Sequence, residues 1–173
     1  TNWQSGVSPC RATAERALAD GTLYVDEVNG HILGCANLNH VQPPEYGSIS
    51  WTIQAKPKQV LVIHTLCIRP ECAGGGRGRR FVAFAEGLAT GQGCRVIRLD
   101  TYEGNAPAAA FYPKLGYRLA GSAEFFFEGF ARENLICFEK ELRGGADRPA
   151  GNRRPGTAAP AMPSTASASA ETP

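Results

Sequence analysis

The chain has 173 residues, 43% of them apolar and 20% charged, and its 18 basic and 16 acidic side chains leave a formal net charge of +2. Such a composition fits a folded domain, and so small a charge excludes non-specific capture of nucleic acid or of an anionic membrane as the main activity. No run approaches the ~20 uncharged apolar residues a spanning helix needs, and the N-terminal stretch lacks a basic start followed by an apolar core, so neither membrane insertion nor secretion is expected.

In chain order, Ser8-Pro9 combines a cap with a first-turn proline and opens a short amphipathic helix, which Gly21 closes after Arg16 to Asp20. Leu23 to Val25 and Ile32 to Ala36 flank Asn29-Gly30, a dipeptide suited to the positive φ angles of a tight hairpin turn. Ser48 to Ile53 reads as a further strand. Val60 to Ile68 is a nearly unbroken run of strand formers and belongs in the middle of a sheet. After Pro70 to Arg80, the residues Phe81, Phe84, Ala85 and Leu88 share one helical face, and the helix stops at Gly91 or Gly93. Cys94 to Thr101 forms another strand. Asn105 caps a helix over Ala106 to Leu115 that Gly116 ends, and Pro113 should bend or stop it just after Tyr112. Tyr117 to Ala120 and Leu135 to Leu142 complete the sheet, with Ser122 to Asn134 between them as a loop containing Phe125, Phe126, Phe127 and Phe130. This order predicts an α/β or α+β domain, a mixed sheet with helices on its faces.

From Gly144 to Pro173 there is no Leu, Ile, Val, Phe, Tyr or Trp, while five of the twelve prolines fall there, so residues 144–173 are expected to be a disordered tail and residues 1–143 the working domain. The six cysteines, Cys10, Cys35, Cys67, Cys72, Cys94 and Cys137, include no Cys-x-x-Cys pair and no histidine pair at ligand spacing, so no metal is expected. Cys35, Cys67, Cys94 and Cys137 fall in strand-like runs and read as small apolar core residues of a protein kept reduced in the cytoplasm.

Gly74, Gly75, Gly76 and Gly78 lie between a buried strand and a helix. Backbone N–H groups there can face an anion with no side chain in the way, the helix N-terminus adds roughly half a unit of positive charge, and Arg77, Arg79 and Arg80 add full charges. A diphosphate suits such a site. Read blandly, the stretch is a surface turn or an arginine-glycine segment that touches RNA, but it joins a strand to a helix. The ATP-binding P-loop is excluded because neither its lysine nor its hydroxyl is present. A dinucleotide fingerprint would use Asp100, about twenty positions on, yet that fingerprint belongs to a first βα unit and here a hairpin precedes it.

The stretch Ala73 to Gly78, following Leu66-Cys67-Ile68-Arg69-Pro70, resembles the coenzyme A signature Arg/Gln-x-x-Gly-x-Gly/Ala of the GNAT superfamily of N-acetyltransferases. Asn105 to Tyr117 is similar to the second signature of that superfamily, Asn-x-x-Ala-x-x-x-Tyr-x-x-x-Gly-Phe/Tyr. The resemblance covers about Leu23 to Leu142 and implies a mixed, mostly antiparallel sheet flanked by helices, a domain in which acetyl-CoA is the co-substrate. Two departures stand out. Ala73 occupies the position of an Arg or Gln, and only one helix precedes the hairpin where the family has an additional strand and helix.

The resemblance also implies roles. Leu66, Cys67 and Ile68 match the strand whose free backbone pairs with the pantetheine arm, where an N–H can polarise the thioester carbonyl, an effect commonly worth ~3 kcal/mol per donor. Gly74, Gly75, Gly76, Arg77, Gly78 and Arg79 match the diphosphate cradle, and Asn105 the asparagine beside the coenzyme arm. Tyr112 matches the tyrosine that protonates the departing thiolate, although it shares a helix face with core residues. His64, two residues before Leu66, is the candidate base, with a buried core histidine as the plainer reading. Glu45, Asn39 and His40 lie where an acceptor would bind, and Trp51 and Tyr46 can line its pocket.

The expected activity is transfer of acetyl to a primary amine of a small molecule or peptide by direct attack. The alternatives are a catalytically silent acyl-CoA sensor and an arginine-glycine RNA-binding module. Edge-strand pairing into a homodimer suits the fold.

Overall fold

The structure, a computed structural model, describes residues 10–126 and 132–142. The expected cap at Ser8-Pro9, the tail beyond Arg143, and Phe127 and Phe130 lie outside those residues.

Helix α1 (Arg11–Ala19) leads into an antiparallel hairpin of β1 (Leu23–Val28) and β2 (His31–Asn39). Its turn residues Asn29 and Gly30 have φ of 52° and 77°, as a two-residue hairpin loop requires. The remaining strands are β3 (Val60–Ile68), β4 (Val96–Tyr102), β5 (Arg118–Phe126) and β6 (Arg132–Glu141), and the six form one sheet in the order β1-β2-β3-β4-β6-β5. Only β3 and β4 run parallel, as their crossover helix α2 (Arg77–Gly91) demands, and every other neighbouring pair is antiparallel. The expected mixed, mostly antiparallel sheet is therefore present, with β3 central.

The alternation of each strand sorts the core into two layers. Leu61, Ile63, Ile97, Leu99 and Phe138 point to one face, against Phe81, Val82, Ala85 and Ala89 of α2 and Tyr112 of α3 (Ala106–Lys114). Val60, Val62, Val96, Leu135 and Cys137 point to the other, where Tyr46, Ile49 and Ile53 cover them. Both α2 and α3 lie on the first face, and an irregular segment takes the place of a helix on the second.

Three expectations need correction. Ser48 to Ile53 is not a strand, because buried side chains take the bonds its backbone would give a ladder. Glu139 on β6, 1% exposed, accepts from the N–H groups of Thr52 at 2.9 Å and Ile53 at 3.3 Å, from the Thr52 hydroxyl, and from Arg118 Nη2 at 3.1 Å. Its register partner on β4, Arg98, donates to the Ile53 carbonyl at 2.9 Å and lies 4.2 Å from the centre of the Trp51 ring. Secondly, Ser122 to Asn134 is mostly strand, since β5 runs on to Phe126 and β6 begins at Arg132, with Phe125 buried against Tyr46. Thirdly, α3 continues through Pro113 and stops at Lys114, and Gly116 turns the chain into β5 with φ of 84°. The missing N–H of Pro113 falls in the last turn of the helix, where one lost bond is tolerated.

Replacing Glu139 by alanine leaves two backbone donors and one guanidinium without their acceptor. Glu139→Ala should lower the unfolding free energy by about 3 kcal/mol, measured by urea denaturation followed through tryptophan fluorescence; a loss below about 1 kcal/mol would contradict the anchoring role.

Candidate functional site

The site begins with a defect in the sheet. The register of β3 against β2 runs from Ile68 to Thr65 and then jumps to Ile63, so His64 is an extra residue with no partner opposite. A bulge bends a strand and increases its twist. The parallel ladder between β3 and β4 spans only Val60↔Val96 to Ile63↔Leu99 and ends at that point. Beyond it β3 continues beside β2 to Ile68, and β4 continues beside β6 to Tyr102. A cleft opens between them, edged by Leu66, Cys67 and Ile68 on one side and by Asp100 to Tyr102 on the other.

The glycine loop follows directly from the end of β3. Gly74 and Gly76 have φ of 81° and 76°, and at both a side chain would meet nothing within 4 Å. The cradle is open to an incoming group. Helix α2 starts without a side-chain cap and without an acidic residue in its first turn, so its N–H groups and the positive end of its dipole are unopposed. Arg79 and Arg80 are exposed there. Arg77 and Gly78 also make contacts within the fold. The Arg77 guanidinium bonds Asp26 of β1 at 2.7 Å and is 20% exposed, which ties the first turn of α2 to the hairpin. A Cβ on Gly78 would sit 3.4 Å from the Phe111 ring, so this glycine lets α2 and α3 approach each other.

On α3, Asn105 accepts from the Ala108 N–H at 3.3 Å and donates to the Thr101 hydroxyl at 3.2 Å, fixing the helix to the free end of β4. Tyr112 is 7% exposed among the rings of Phe111, Tyr117 and Phe138. Phe138 is the register partner of Leu99, the last residue of β4 paired to β3, so Tyr112 stands where the cleft starts. Burial, with the charge of Asp100, pushes its phenol up to about 12, and it keeps its proton at neutral pH.

His64 is placed by the bulge against Asn39, with Nε2 2.8 Å from Oδ1. That oxygen also accepts from the Val41 N–H at 2.8 Å, which identifies it as the amide oxygen and makes His64 Nε2 the protonated nitrogen. Burial holds the imidazole below its usual pKa, only partly offset by the Val41 backbone, so Nδ1 carries a lone pair at neutral pH. His40 bonds the Val60 carbonyl through Nδ1 at 2.7 Å and has a structural part. Glu45 accepts from the Phe126 N–H at 3.3 Å.

One acid at the cleft has a part that the sequence reading did not give it. Asp100 is the first residue of β4 beyond the paired segment, and its carboxylate accepts from the Tyr46 hydroxyl at 2.8 Å. Burial raises its pKa to about 6, against the hydrogen bond from Tyr46 and with the help of the Glu45 charge. Tyr46 and Trp51 stack edge to face at 4.9 Å, and the phenol of Tyr46 is driven upward by burial and by Asp100. The signal in the sequence was the one acid of a strand whose neighbours are mostly apolar or aromatic.

A groove of about 930 Å³ lies at the far end of α2 from the glycine loop, lined by Glu86, Arg118, Glu139 and Lys140 among others. Its charges are already paired, Lys140 with Glu86 at 2.8 Å and Arg118 with Glu139 at 3.1 Å, and it gathers no free chemistry. Among the described residues no three side chains are grouped to hold a metal ion, and no helix is long and apolar enough to cross a membrane.

Solved structures share this architecture. The ribosomal-protein-alanine N-acetyltransferase of Brucella melitensis superposes with a TM-score of 0.57 at 21% identity, covering 76% of this chain and 75% of that one. The Bacillus subtilis acetyltransferase in complex with CoA gives 0.58 at 16% identity, covering 78% and 86%. Ard1 of Thermoplasma volcanium gives 0.60 at 14% identity, covering 77% and 80%. At these identities the likeness is one of fold. No curated protein sequence matches the chain. The sequence model of the Acetyltransferase (GNAT) family, however, matches residues 2–117, from before the hairpin through both signatures. The chain belongs to the GNAT family of N-acetyltransferases, enzymes that take an acetyl group from acetyl-CoA.

Proposed function

We propose that this acetyltransferase acts on a primary amine of a small molecule or peptide, by direct attack and with the residues of the cleft in defined roles. The observation that carries the reading is the coincidence of three features at one place: the open glycine cradle, the parting of β3 from β4, and the flanking of that fork by Tyr112 on one face of the sheet and Asp100 on the other. Acetyl-CoA fits these features and supplies the activated thioester. The N–H groups of the cradle and the first turn of α2, with Arg79 nearby, would hold its diphosphate. The unpaired backbone of Leu66 to Ile68 would take the amide-bearing arm, and an N–H there would polarise the reacting carbonyl.

In the transfer, a bond forms from the amine nitrogen to the acetyl carbon and the carbon–sulfur bond breaks. Tyr112 gives its proton to the departing sulfur, a role that its raised pKa allows. Asp100 takes the proton that the amine releases, as an ionised carboxylate held in place by Tyr46. His64 Nδ1 is the second acceptor available on the cleft, beside Asn39. Tyr46 and Trp51, with Asp100 between strands, would then form the wall against which a cationic amine is received.

The test of the reading is calorimetric titration with acetyl-CoA together with thiol release in the presence of pooled amines. Saturable binding and release are expected, and Tyr112→Phe should bind as before while releasing thiol roughly 10²-fold more slowly. Binding without release would identify the chain as a sensor of acyl-CoA, and absence of binding would overturn the glycine cradle.

Asp100 gives a second, pH-dependent expectation. Its pKa of about 6 means that the ionised form accumulates as pH rises through that value. The ratio of wild-type to Asp100→Asn turnover should therefore climb through about pH 6, and Tyr112, near 12, should add no falling limb below about pH 10. Stability moves the opposite way. A carboxyl whose folded pKa lies above its unfolded 3.8 is more easily protonated in the native state, so stability is lost as pH rises through about 6. Asp100→Asn should accordingly melt above wild type at pH 8, with the gap closing toward pH 4, in thermal scans across that range; an equal melting temperature at pH 8 would show that the carboxylate is not burdened by burial.

A further inference from the structure

The sequence around Cys35 and Cys67 predicts core residues, and the register gives them a half-buried position instead. They face each other directly across the antiparallel β2–β3 pair, with Val25 of β1 on the other side of Cys35. Residues that oppose one another in an antiparallel ladder have Cα atoms about 4.5 or 5.5 Å apart, and both values lie within the span that a disulfide bridges. The alternation fixes the face. Ala36, Leu38, Leu66 and Ile68 pack toward α2, so Cys35 and Cys67 point to the opposite side of the sheet, where both are half-buried and Val25 is 45% exposed. Beyond Cys67 there is no further strand at that level, because β4 has already parted.

We infer that Cys35 and Cys67 form a redox-active dithiol, a site of reversible modification by low-molecular-weight disulfides on the rim of the cleft. The Cys35 thiolate attacks one sulfur of oxidised glutathione, forming a mixed disulfide and expelling one glutathione thiolate, which takes up a proton. The Cys67 thiol, losing its proton, then attacks the Cys35 sulfur and expels the second glutathione as a thiol. Two electrons pass from the protein dithiol to the glutathione disulfide, and a cross-strand bridge remains. The order of attack follows from their surroundings: the neighbouring Cys67 holds the Cys35 thiol below its ordinary pKa, while Cys35 and burial push that of Cys67 upward. None of the other cysteines has this arrangement. Cys94 and Cys137 are buried, Cys137 opposite Asp100, while Cys10 precedes α1 and Cys72 lies before the glycine loop.

The experiment exposes the full chain, without coenzyme or amine, to oxidised glutathione under native conditions, blocks remaining thiols and maps the peptides by mass. The expected product is a single cross-linked pair containing Cys35 and Cys67, two fewer blocked thiols, and full reversal by dithiothreitol. Cys67→Ser should hold glutathione on Cys35, whereas Cys35→Ser should leave Cys67 unmodified. Since a bridge that suits the native register restricts mainly the unfolded chain, the oxidised protein should melt at a higher temperature than the reduced one. Reaction only at Cys10 or Cys72, a bridge that forms only in denaturant, or a bridged protein that melts lower would each overturn the inference. All of these readouts are independent of acetyl transfer, so their failure leaves the proposed reaction standing.

Discussion

At His64, β3 carries one residue more than the strand opposite it, and within the same step its parallel pairing to β4 ends after four residue pairs. Everything at the site follows from that mismatch. If β3 and β4 stayed paired to their ends, the second half of β3 would spend its backbone groups on the residues from Asp100 onward, and no ligand could lie between them. With the strands parted, the side chains nearest the fork acquire unusual surroundings. His64 is turned onto Asn39, Asp100 is held against Tyr46 in a place with little water, and Tyr112 lies over the last paired rung. The glycine loop is aimed at the opening because it continues the same strand.

The second face of the sheet shows how an irregular segment can be held as firmly as a strand. Arg98 and Glu139 are register partners and nearly inaccessible, an arrangement that would be costly if either were left alone. Each instead serves the segment from Gln42 to Ile53, Arg98 through Gln42, Trp51 and Ile53, and Glu139 through Thr52 and Ile53. This segment also supplies Tyr46 to Asp100. The Tyr46 side of the cleft is therefore positioned by charges buried in the sheet, and its geometry is inherited from β4 and β6.

Local chemistry made much of this legible. Asn29-Gly30 announces its turn, the run from Val60 to Ile68 its central strand, and the glycines before Arg77 their open loop, because each effect acts within a few residues. What could not be read depends on partners distant in sequence. Ser48 to Ile53 has strand-forming residues, and only Glu139, 86 and 87 positions later, withdraws its N–H groups from a ladder. The bulge is invisible since a nearly unbroken run of strand formers does not show where the opposing strand is one residue short. Asp100 was visible as the one acid of β4, but its bond to Tyr46 joins positions 54 apart. Likewise Cys35 and Cys67 look alike as small apolar residues until the register sets them face to face. Arg77 reads as a phosphate ligand from its place beside the glycines, and its salt bridge could not be read because Asp26 lies 51 positions away.

The last of the described strands is not at the margin of the sheet. β6 lies between β4 and β5, so until residues 132–141 are in place β5 has no neighbour and β4 presents an unpaired, apolar side. As the chain leaves the ribosome, its first four strands, α2 and α3 can assemble, but the sheet stays open along β4 and the segment around Thr52 has no carboxylate to close upon. Contacts this distant in sequence slow folding, and an exposed strand side invites pairing with other chains. The ten residues of β6 thus act as a keystone, and the cleft at the centre of the sheet takes its finished shape only once they are in place.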